Sequence, residues 1–533
     1  MGSLWVTMTI AWAWACMWVD RDARQVFGVA KPWAAVFVWI GVILLVGTLF
    51  GGTAGLLMIG ALLPMAMASY LAYRERAAPA KAKLVRADRA FAVLSGLAGL
   101  VGLDSLIDRL RRSIPATPES PDGEPPIILL KKDGTPYSGG YGRLDQTTAD
   151  AVQAAQRILG KAITLRATDI HFEPKSSQEY QVRYRIDGIM QTRQVVNSDA
   201  ARSVVSALKV LADMDIAERR RPQDGTFAAC VAKRRFDVRA ASGPTNFGEK
   251  MSLRLLDADG GIVRDGFKGL GMRTSVVSSL RGLITRPHGM LIVTGPTGSG
   301  KTTTLYACLN EIDVLTRNVV TIEDPVEYRL ENISQTAVNV AADLTFAKIL
   351  RSVLRQDPDV ILVGEIRDRE TAEIAMQAAL TGHFVFTTLH ANDTATTVTR
   401  LIEMGVDISL IESAVSAVLA QRLIRVLCPE CKQGYEPSRE VLRRLGIPSD
   451  RVQQFFKERG CDACQGTGYR GRTGVYELMM LDSEIRSLLV GRPSLEAVRG
   501  AARKAGMRTM WQSALYKVVN GETSLTEAER VVR

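Results

Sequence analysis

Residues Gly295 to Thr302 read GPTGSGKT and directly follow the apolar run Met290 to Val293. The pattern GxxxxGK[ST] fits one local architecture: a strand stops, the chain turns on glycines, and a helix restarts. That junction aims successive backbone N–H groups and the positive end of the helix at one place, which suits the phosphates of a nucleotide. Lys301 can reach the outer phosphates as a point charge, and the Thr302 hydroxyl can take one position on Mg2+. The expected nucleotide contacts are Gly295, Pro296, Thr297, Gly298, Ser299, Gly300, Lys301, Thr302 and Thr303, with a helix over Thr303 to Leu315. Further β-branched apolar runs at Asn318 to Glu323, Val360 to Gly364 and Phe384 to Leu389 alternate with helical stretches. Such alternation predicts an α/β fold, a parallel sheet covered on both faces, with the ligand at the C-terminal ends of its strands.

At 533 residues the chain has room for three or four domains. Its formal charge of +11 is compatible with nucleic acid, an anionic membrane or a plain arginine-rich surface. The clusters Arg219 to Arg221 and Lys233 to Arg235 are short and lack interleaved aromatics, which disfavours a nucleic-acid groove. Of seven cysteines, Cys428, Cys431, Cys461 and Cys464 form CxxC, a 29-residue insert and a second CxxC. Four thiolates at that spacing suit a closed, structural Zn2+ site in a reducing compartment. Cys16, Cys230 and Cys308 have no partner in the pattern and read as small apolar residues.

No charged residue occurs from Pro32 to Tyr73, a stretch of 42. As one straight helix it would be about 63 Å long, roughly twice the hydrocarbon core of a bilayer. It must turn, and Gly51, Gly52 and Thr53 provide the place, giving N-terminal transmembrane helices near residues 33–50 and 54–73. Basic residues before the hairpin (Arg21, Arg24, Lys31) and after it (Arg74, Arg76, Lys81) put both flanks, and everything downstream, in the cytoplasm. Residues 4–19, with Trp5, Trp12, Trp14 and Trp18, form either a third span or an interfacial segment; the charge bias permits both.

Residues 1–80 are thus expected as a membrane region, and 81–140 as an amphipathic segment followed by a linker rich in proline and glycine. From Leu144 to Leu256 the pattern is α+β. A helix runs up to Lys161, strands lie near Asp169 to Phe172 and Tyr180 to Ile186, a helix covers Ser203 to Leu211, and strands follow at Arg235 to Ala241 and Lys250 to Leu255.

Several segments together closely resemble the GspE/PilB-type ATPases of type II secretion and type IV pilus assembly. They are ATDIHFEP (Ala167 to Pro174), RIDG (Arg185 to Gly188), RPQDG (Arg221 to Gly225), the phosphate loop, TIEDPVE (Thr321 to Glu327), VILVGEIRD (Val360 to Asp368) and TGHFVFTTLHAND (Thr381 to Asp393). The likeness runs from about residue 144 to the end. It implies a PAS-like α+β domain over 141–257, a hinge at 258–271 and a RecA-like P-loop NTPase domain over 272–425. Beyond these it implies a tetracysteine zinc subdomain at 426–475 and a helical subdomain at 476–533.

Acidic residues follow two of the apolar strands, where Mg2+ and the γ-phosphate are expected. The resemblance implies that Glu327 polarises the attacking water and Glu365 holds Mg2+ through water. Because Gly364 stands where the usual Walker B aspartate would be, the two roles are exchangeable at this stage. His383 and His390 would sense the γ-phosphate. Arg220 and Arg239 match positions in the preceding domain that reach a nucleotide, and Arg351 and Arg355 match helix positions in the nucleotide domain. Thr226 stands where relatives usually carry an arginine after RPQDG.

The family further implies a homo-hexamer that uses ATP and Mg2+, works against an inner-membrane platform protein and keeps its ATPase domains in the cytoplasm. The hydrophobic hairpin would serve as a built-in anchor. Two other readings are a membrane-anchored ATPase for DNA uptake or translocation, and a nucleotide sensor without turnover. The zinc loop points away from the first, and the presence of both Glu327 and Glu365 points away from the second.

Overall fold

The computed structural model describes residues 127–532, apart from 132–133, 138–145, 233, 258–264 and 449–453. The expected membrane region and the amphipathic segment lie outside the described residues. Among the described residues no helix is long and apolar enough to cross a membrane.

The first domain is a seven-stranded antiparallel sheet in the order β1-β5-β6-β7-β2-β3-β4. Its strands are β1 (Ile127–Leu130), β2 (Ala167–Pro174), β3 (Glu179–Ile186), β4 (Ile189–Asn197), β5 (Gln223–Val231), β6 (Arg234–Thr245) and β7 (Gly248–Asp257). Two helices, α1 (Gln146–Thr164) and α2 (Ser198–Leu211), share one core with it. Strand alternation decides which residues meet them: Tyr180, Val182, Tyr184 and Ile186 on β3 are buried while their neighbours are not. Leu159 on α1 and Leu208 on α2 complete that core.

The linker expected through residue 140 is corrected here. Ile127–Leu130 is an edge strand whose partners are Val231 to Ala228 on β5. Four consecutive apolar residues between prolines can pair at an edge, where the missing N–H of the flanking prolines costs nothing.

The second domain is built on a sheet in the order β10-β9-β11-β12-β8-β13-β16. The strands are β8 (Gly289–Thr294), β9 (Val319–Glu323), β10 (Ser334–Ala337), β11 (Val360–Val363), β12 (Phe384–Leu389), β13 (Val415–Leu427) and β16 (Tyr469–Met480). All adjacent pairs are parallel except β13 with β16. Every residue of β8 is buried, as expected of a strand covered on both faces. Leu291 and Val293 pack with Leu280 and Leu283 of α3 (Thr274–Ile284) and Leu305 of α4 (Lys301–Leu309). On the opposite face, Met290 and Ile292 pack with Ile349 of α5 (Phe346–Val353) and Met376 of α6 (Arg369–Leu380). Helices α7 (Thr394–Glu403) and α8 (Ile408–Ala414) then lead into β13.

The helix after the phosphate loop is shorter than expected: it ends at Leu309, and Leu315 is 82% exposed. The boundary expected at 475/476 is also not a boundary of packing. Strand β16 runs across it, and one core joins Leu442 of α9 (Arg439–Leu445) and Phe455 of the short β14–β15 ribbon (Gln433–Tyr435, Phe455–Lys457) to the C-terminal helices. Among them α10 (Ser483–Val490) and α11 (Leu495–Lys504) pack on the core of the parallel sheet, whereas the helices that join this core are α12 (Met510–Val519) and α13 (Leu525–Val532). The second half of the expected hinge is packed as well. Gly266–Leu270 is a 3-10 turn with Phe267 and Leu270 buried, and the Tyr476 hydroxyl donates to the Leu270 carbonyl at 2.9 Å.

Candidate functional site

Strand β8 ends at Thr294, and Lys301 and Thr302 open α4, so the glycine loop lies at the C-terminal edge of the parallel strands. A side chain at Gly295 would put its Cβ 2.5 Å from the Gln421 carbonyl oxygen, and its φ of +151° belongs to glycine. Gly300 takes the left-handed conformation at the helix N-cap. Lys301 Nζ donates to the carbonyls of Gly295 at 2.9 Å and Pro296 at 3.2 Å, so it lies back over its own loop. Burial lowers its pKa, against the opposing pull of Glu365.

Two further connections hold the loop. Thr294 Oγ1 accepts from the Ala391 N–H at 3.0 Å and donates to the Leu389 carbonyl at 3.1 Å, which ties the loop's start to the segment after β12. On the other side, Gln421 of β13 donates to the Ser299 carbonyl and accepts from Thr304 Oγ1, both at 2.8 Å. Gln421 and Thr294 were missed in sequence; an isolated glutamine within an apolar run, AVLAQRLI, was the available signal for the first.

Glu365 follows β11, and its side chain is 18% exposed. It pairs with Arg367, whose other nitrogen lies 3.4 Å from Asp324, and His390 Nε2 is 3.8 Å from its second oxygen. Burial, helped by Lys301 and opposed by Glu365, holds His390 below its ordinary pKa and keeps the ring neutral at neutral pH. A cavity of 320 Å3 opens between Gly295 and Pro296 on one side and His390, Asn392 and Thr396 on the other. Lys301, Glu365 and His390 therefore converge at one sheet edge. Thr302 is the second residue of α4 and follows Lys301 directly.

Glu327 lies on the loop after β9 and is met from the first domain. Arg239 on β6 donates to its carboxylate at 3.3 Å and to the Val326 carbonyl at 3.2 Å. The neighbouring Glu323 has a different occupation. It is buried and accepts from Tyr306, Thr321 and Gln335, a satisfied interior carboxylate.

The remaining candidates fall outside this grouping. His383 precedes β12, and its carbonyl bonds the N–H of Gly289 at the start of β8. Six strand residues, about 20 Å, separate that end from the phosphate loop; His383 Nδ1 bonds the Ala378 carbonyl at 3.0 Å and closes the end of α6. Arg351 pairs with Glu370 at 2.7 Å, and Arg355 donates to the Arg351 carbonyl at 2.8 Å. The Arg220 side chain is 90% exposed, with only Glu218 beside it among the described residues.

The four cysteine sulfurs lie within 4.8 Å of one another: Cys428 to Cys461 and Cys431 to Cys464 are 3.8 Å apart, and Cys461 to Cys464 is 3.7 Å. A tetrahedron with metal–sulfur bonds of about 2.3 Å has edges of about 3.8 Å, so the set fits Zn2+. The N–H groups of Cys461 and Gly468 point at Cys464 Sγ at 3.2 and 3.1 Å and favour its thiolate.

Residues 145–530 match the family described as "Type II/IV secretion system protein". The chain belongs to the type II/IV secretion system protein family. Type II secretion system protein E of Pseudomonas aeruginosa is 45% identical over 385 residues, 72% of this chain and 76% of that one. The type IV pilus assembly ATPase PilB of Thermus thermophilus is 43% identical over 386 residues, 72% of this chain and 43% of that protein. In fold, the chain is similar to the X-ray structure of the Legionella pneumophila ATPase DotB, with a TM-score of 0.51 and 20% identity over 70% of this chain and 94% of that one. The membership accounts for the phosphate loop at the edge of a parallel sheet and the antiparallel domain before it.

Proposed function

We propose that this secretion-family protein is an ATPase motor that powers type II secretion or type IV pilus (pseudopilus) assembly. The observation that carries the reading is the convergence of Lys301, Glu365 and His390 at the open edge of the P-loop sheet, with Glu327 reached by Arg239 from the other domain. The loop N–H groups and Lys301 bind the β- and γ-phosphates. Thr302 and, through water, Glu365 are the residues that would hold Mg2+, which would supply positive charge to neutralise those phosphates. Glu327 then orients and polarises the attacking water, and neutral His390 donates a hydrogen bond where the γ-phosphate sits.

Arg239 and Glu327 form an ion pair at 3.3 Å. A γ-phosphate offers Arg239 a stronger partner and frees the carboxylate, so the two domains contact each other differently before and after hydrolysis. That difference in contacts is what lets nucleotide bias one domain arrangement over another. The PAS-like character of the first domain, a ring of six subunits, the zinc in the cysteine cluster and an inner-membrane anchor in residues 33–73 belong to the same reading and rest on the resemblance and the sequence. An inner-membrane platform protein is the partner it implies, and Arg220, 90% exposed, is free to reach a neighbouring subunit's nucleotide. ATP turnover by wild type, Lys301→Ala and Glu365→Gln tests the proposal. Equal rates in all three would reject it.

A further inference from the structure

A cleft of 840 Å3 lies away from the phosphate loop and shares no residue with it. It is bounded by the start of α3, the edge strand β16 and the ends of α11 and α12. The volume is within the range of pockets that hold organic ligands, roughly 300–1,000 Å3.

The charge inside is one-sided. The Arg273 guanidinium lies flat on the Tyr516 ring, 3.5 Å from its centroid, and its Nε is buried with no hydrogen-bond partner. Arg508 lines the same cleft, and neither arginine has a carboxylate partner among the described residues. The acids along the wall are engaged elsewhere: Asp482 accepts from the Ile485 N–H at 2.9 Å, and Glu522 is paired with Lys517 at 2.8 Å. Arg273 is also the N-cap of α3 and makes no side-chain capping bond, so the first N–H groups of that 11-residue helix face the same space. Burial and the nearby Arg508 both lower the Arg273 pKa, the signature of a cation lacking its counter-charge. Met480, Ile485 and Met507 line the same cleft and supply its apolar surface.

We propose that this cleft is an accessory site for a soluble organic phosphate, with the phosphoryl group held by Arg273, Arg508 and the first turn of α3, and the organic part on the methionine wall. Stacking on Tyr516 fixes the guanidinium plane and leaves its N–H edge for two-point contact with phosphate oxygens. Because Arg273 follows directly on the connection between the two domains, an occupied site braces the point where the chain enters the ATPase domain.

The test is calorimetric titration of the full-length protein with glycerol 3-phosphate at constant ionic strength, with and without saturating ADP. Saturable binding is expected in both conditions. Arg508→Ala should weaken it roughly 10- to 100-fold, the value of a charge-assisted contact, and Arg508→Lys should weaken it less. Arg508 is exposed, so the variants should melt as the wild type does. Vesicles carrying phosphatidic acid present the same chemistry from a lipid, and binding to them through the N-terminal segment should be the same in Arg508→Ala as in wild type. Absence of saturable glycerol 3-phosphate binding, equal affinity for it in Arg508→Ala and wild type, or an Arg508 dependence confined to the vesicles would each overturn the assignment. The Arg508 comparison is also made without ADP, so it stands or falls separately from the reading of the phosphate loop.

Discussion

Gln421 is a buried amide that holds the phosphate loop against the sheet, and replacing it by leucine isolates that role. Gln421 is 1% exposed, and its two bonds go to the Ser299 carbonyl and the Thr304 hydroxyl, on residues 3% and 1% exposed. Leucine keeps most of the volume and removes both bonds, leaving a buried acceptor and a buried hydroxyl without these partners. Each such orphan costs about 1–3 kcal/mol, so the pair should cost roughly 2–6 kcal/mol. For a domain of this size that is a fall in Tm of roughly 4 to 24 °C.

The function of the loop should suffer in a particular way. A loosened loop binds ATP less well in ground and transition states alike, which raises KM and leaves kcat nearly unchanged. Thermal unfolding and steady-state ATP hydrolysis measure the two effects. The pairing itself is tested by Gln421→Leu combined with Thr304→Val, since removing both partners relieves the orphaned hydroxyl and should recover part of the stability. The reasoning is refuted if Gln421→Leu melts with the wild type at unchanged KM, or if the double variant loses the plain sum of the two single losses.

Three other outcomes follow from the geometry. His390→Ala should lower kcat by about 10-fold or more, whereas His383→Ala should alter stability and leave kcat within about twofold, both read by ATP hydrolysis. Metal analysis should find one zinc per chain, and a chelator or Cys464→Ser should lower Tm by loosening the ribbon and the helices packed on it. In the first domain, burial of Glu173 opposes its ionisation, but bonds from Lys250 and Arg183 outweigh it and hold the carboxyl at about 2, against an ordinary 4.5. A folded-state pKa that is depressed stabilises above the unfolded value and loses that stability as pH falls from about 4.5 towards 2. Lys250→Ala should therefore cost on the order of 2 kcal/mol at pH 7 and much less at pH 2, by urea unfolding.

Much of the nucleotide domain was legible because its strands are buried on both faces. The run Met290 to Thr294 contains no polar residue except its last, and only a central parallel strand needs such a run. Strand β4 escaped notice because it reads IMQTRQVVN and carries no inward alternation, as an edge strand exposed along most of its length does not require one. Strand β13 escaped for another reason: α8 ends at Ala414 and β13 begins at Val415, with no glycine or proline between them to mark the change of period. Gln421 was hidden with it. A polar residue in such a strand is meaningful only once its neighbours across the sheet are known.

The motifs themselves divide into those that face the nucleotide and those that build the support. In ATDIHFEP, Ile170 and Phe172 point into the core, while Asp169 and Glu173 pair on the other face with Arg185, Arg254, Arg183 and Lys250. In RPQDG, Gln223 bonds the backbone of Asp215 and Glu218, and a Cβ on Gly225 would fall 2.1 Å from the Ala212 carbonyl oxygen. Both motifs thus fix the sheet that carries Arg239, two strands away from β2 and paired through Thr226 to β5. Arg239 is the side chain of that domain that, among the described residues, bonds Glu327, and its reach depends on the register of β6 between β5 and β7. A one-residue slip in that register would turn Arg239 to the opposite face and abolish the contact. The supporting motifs are therefore as necessary to the Arg239 contact as the residues on either side of it.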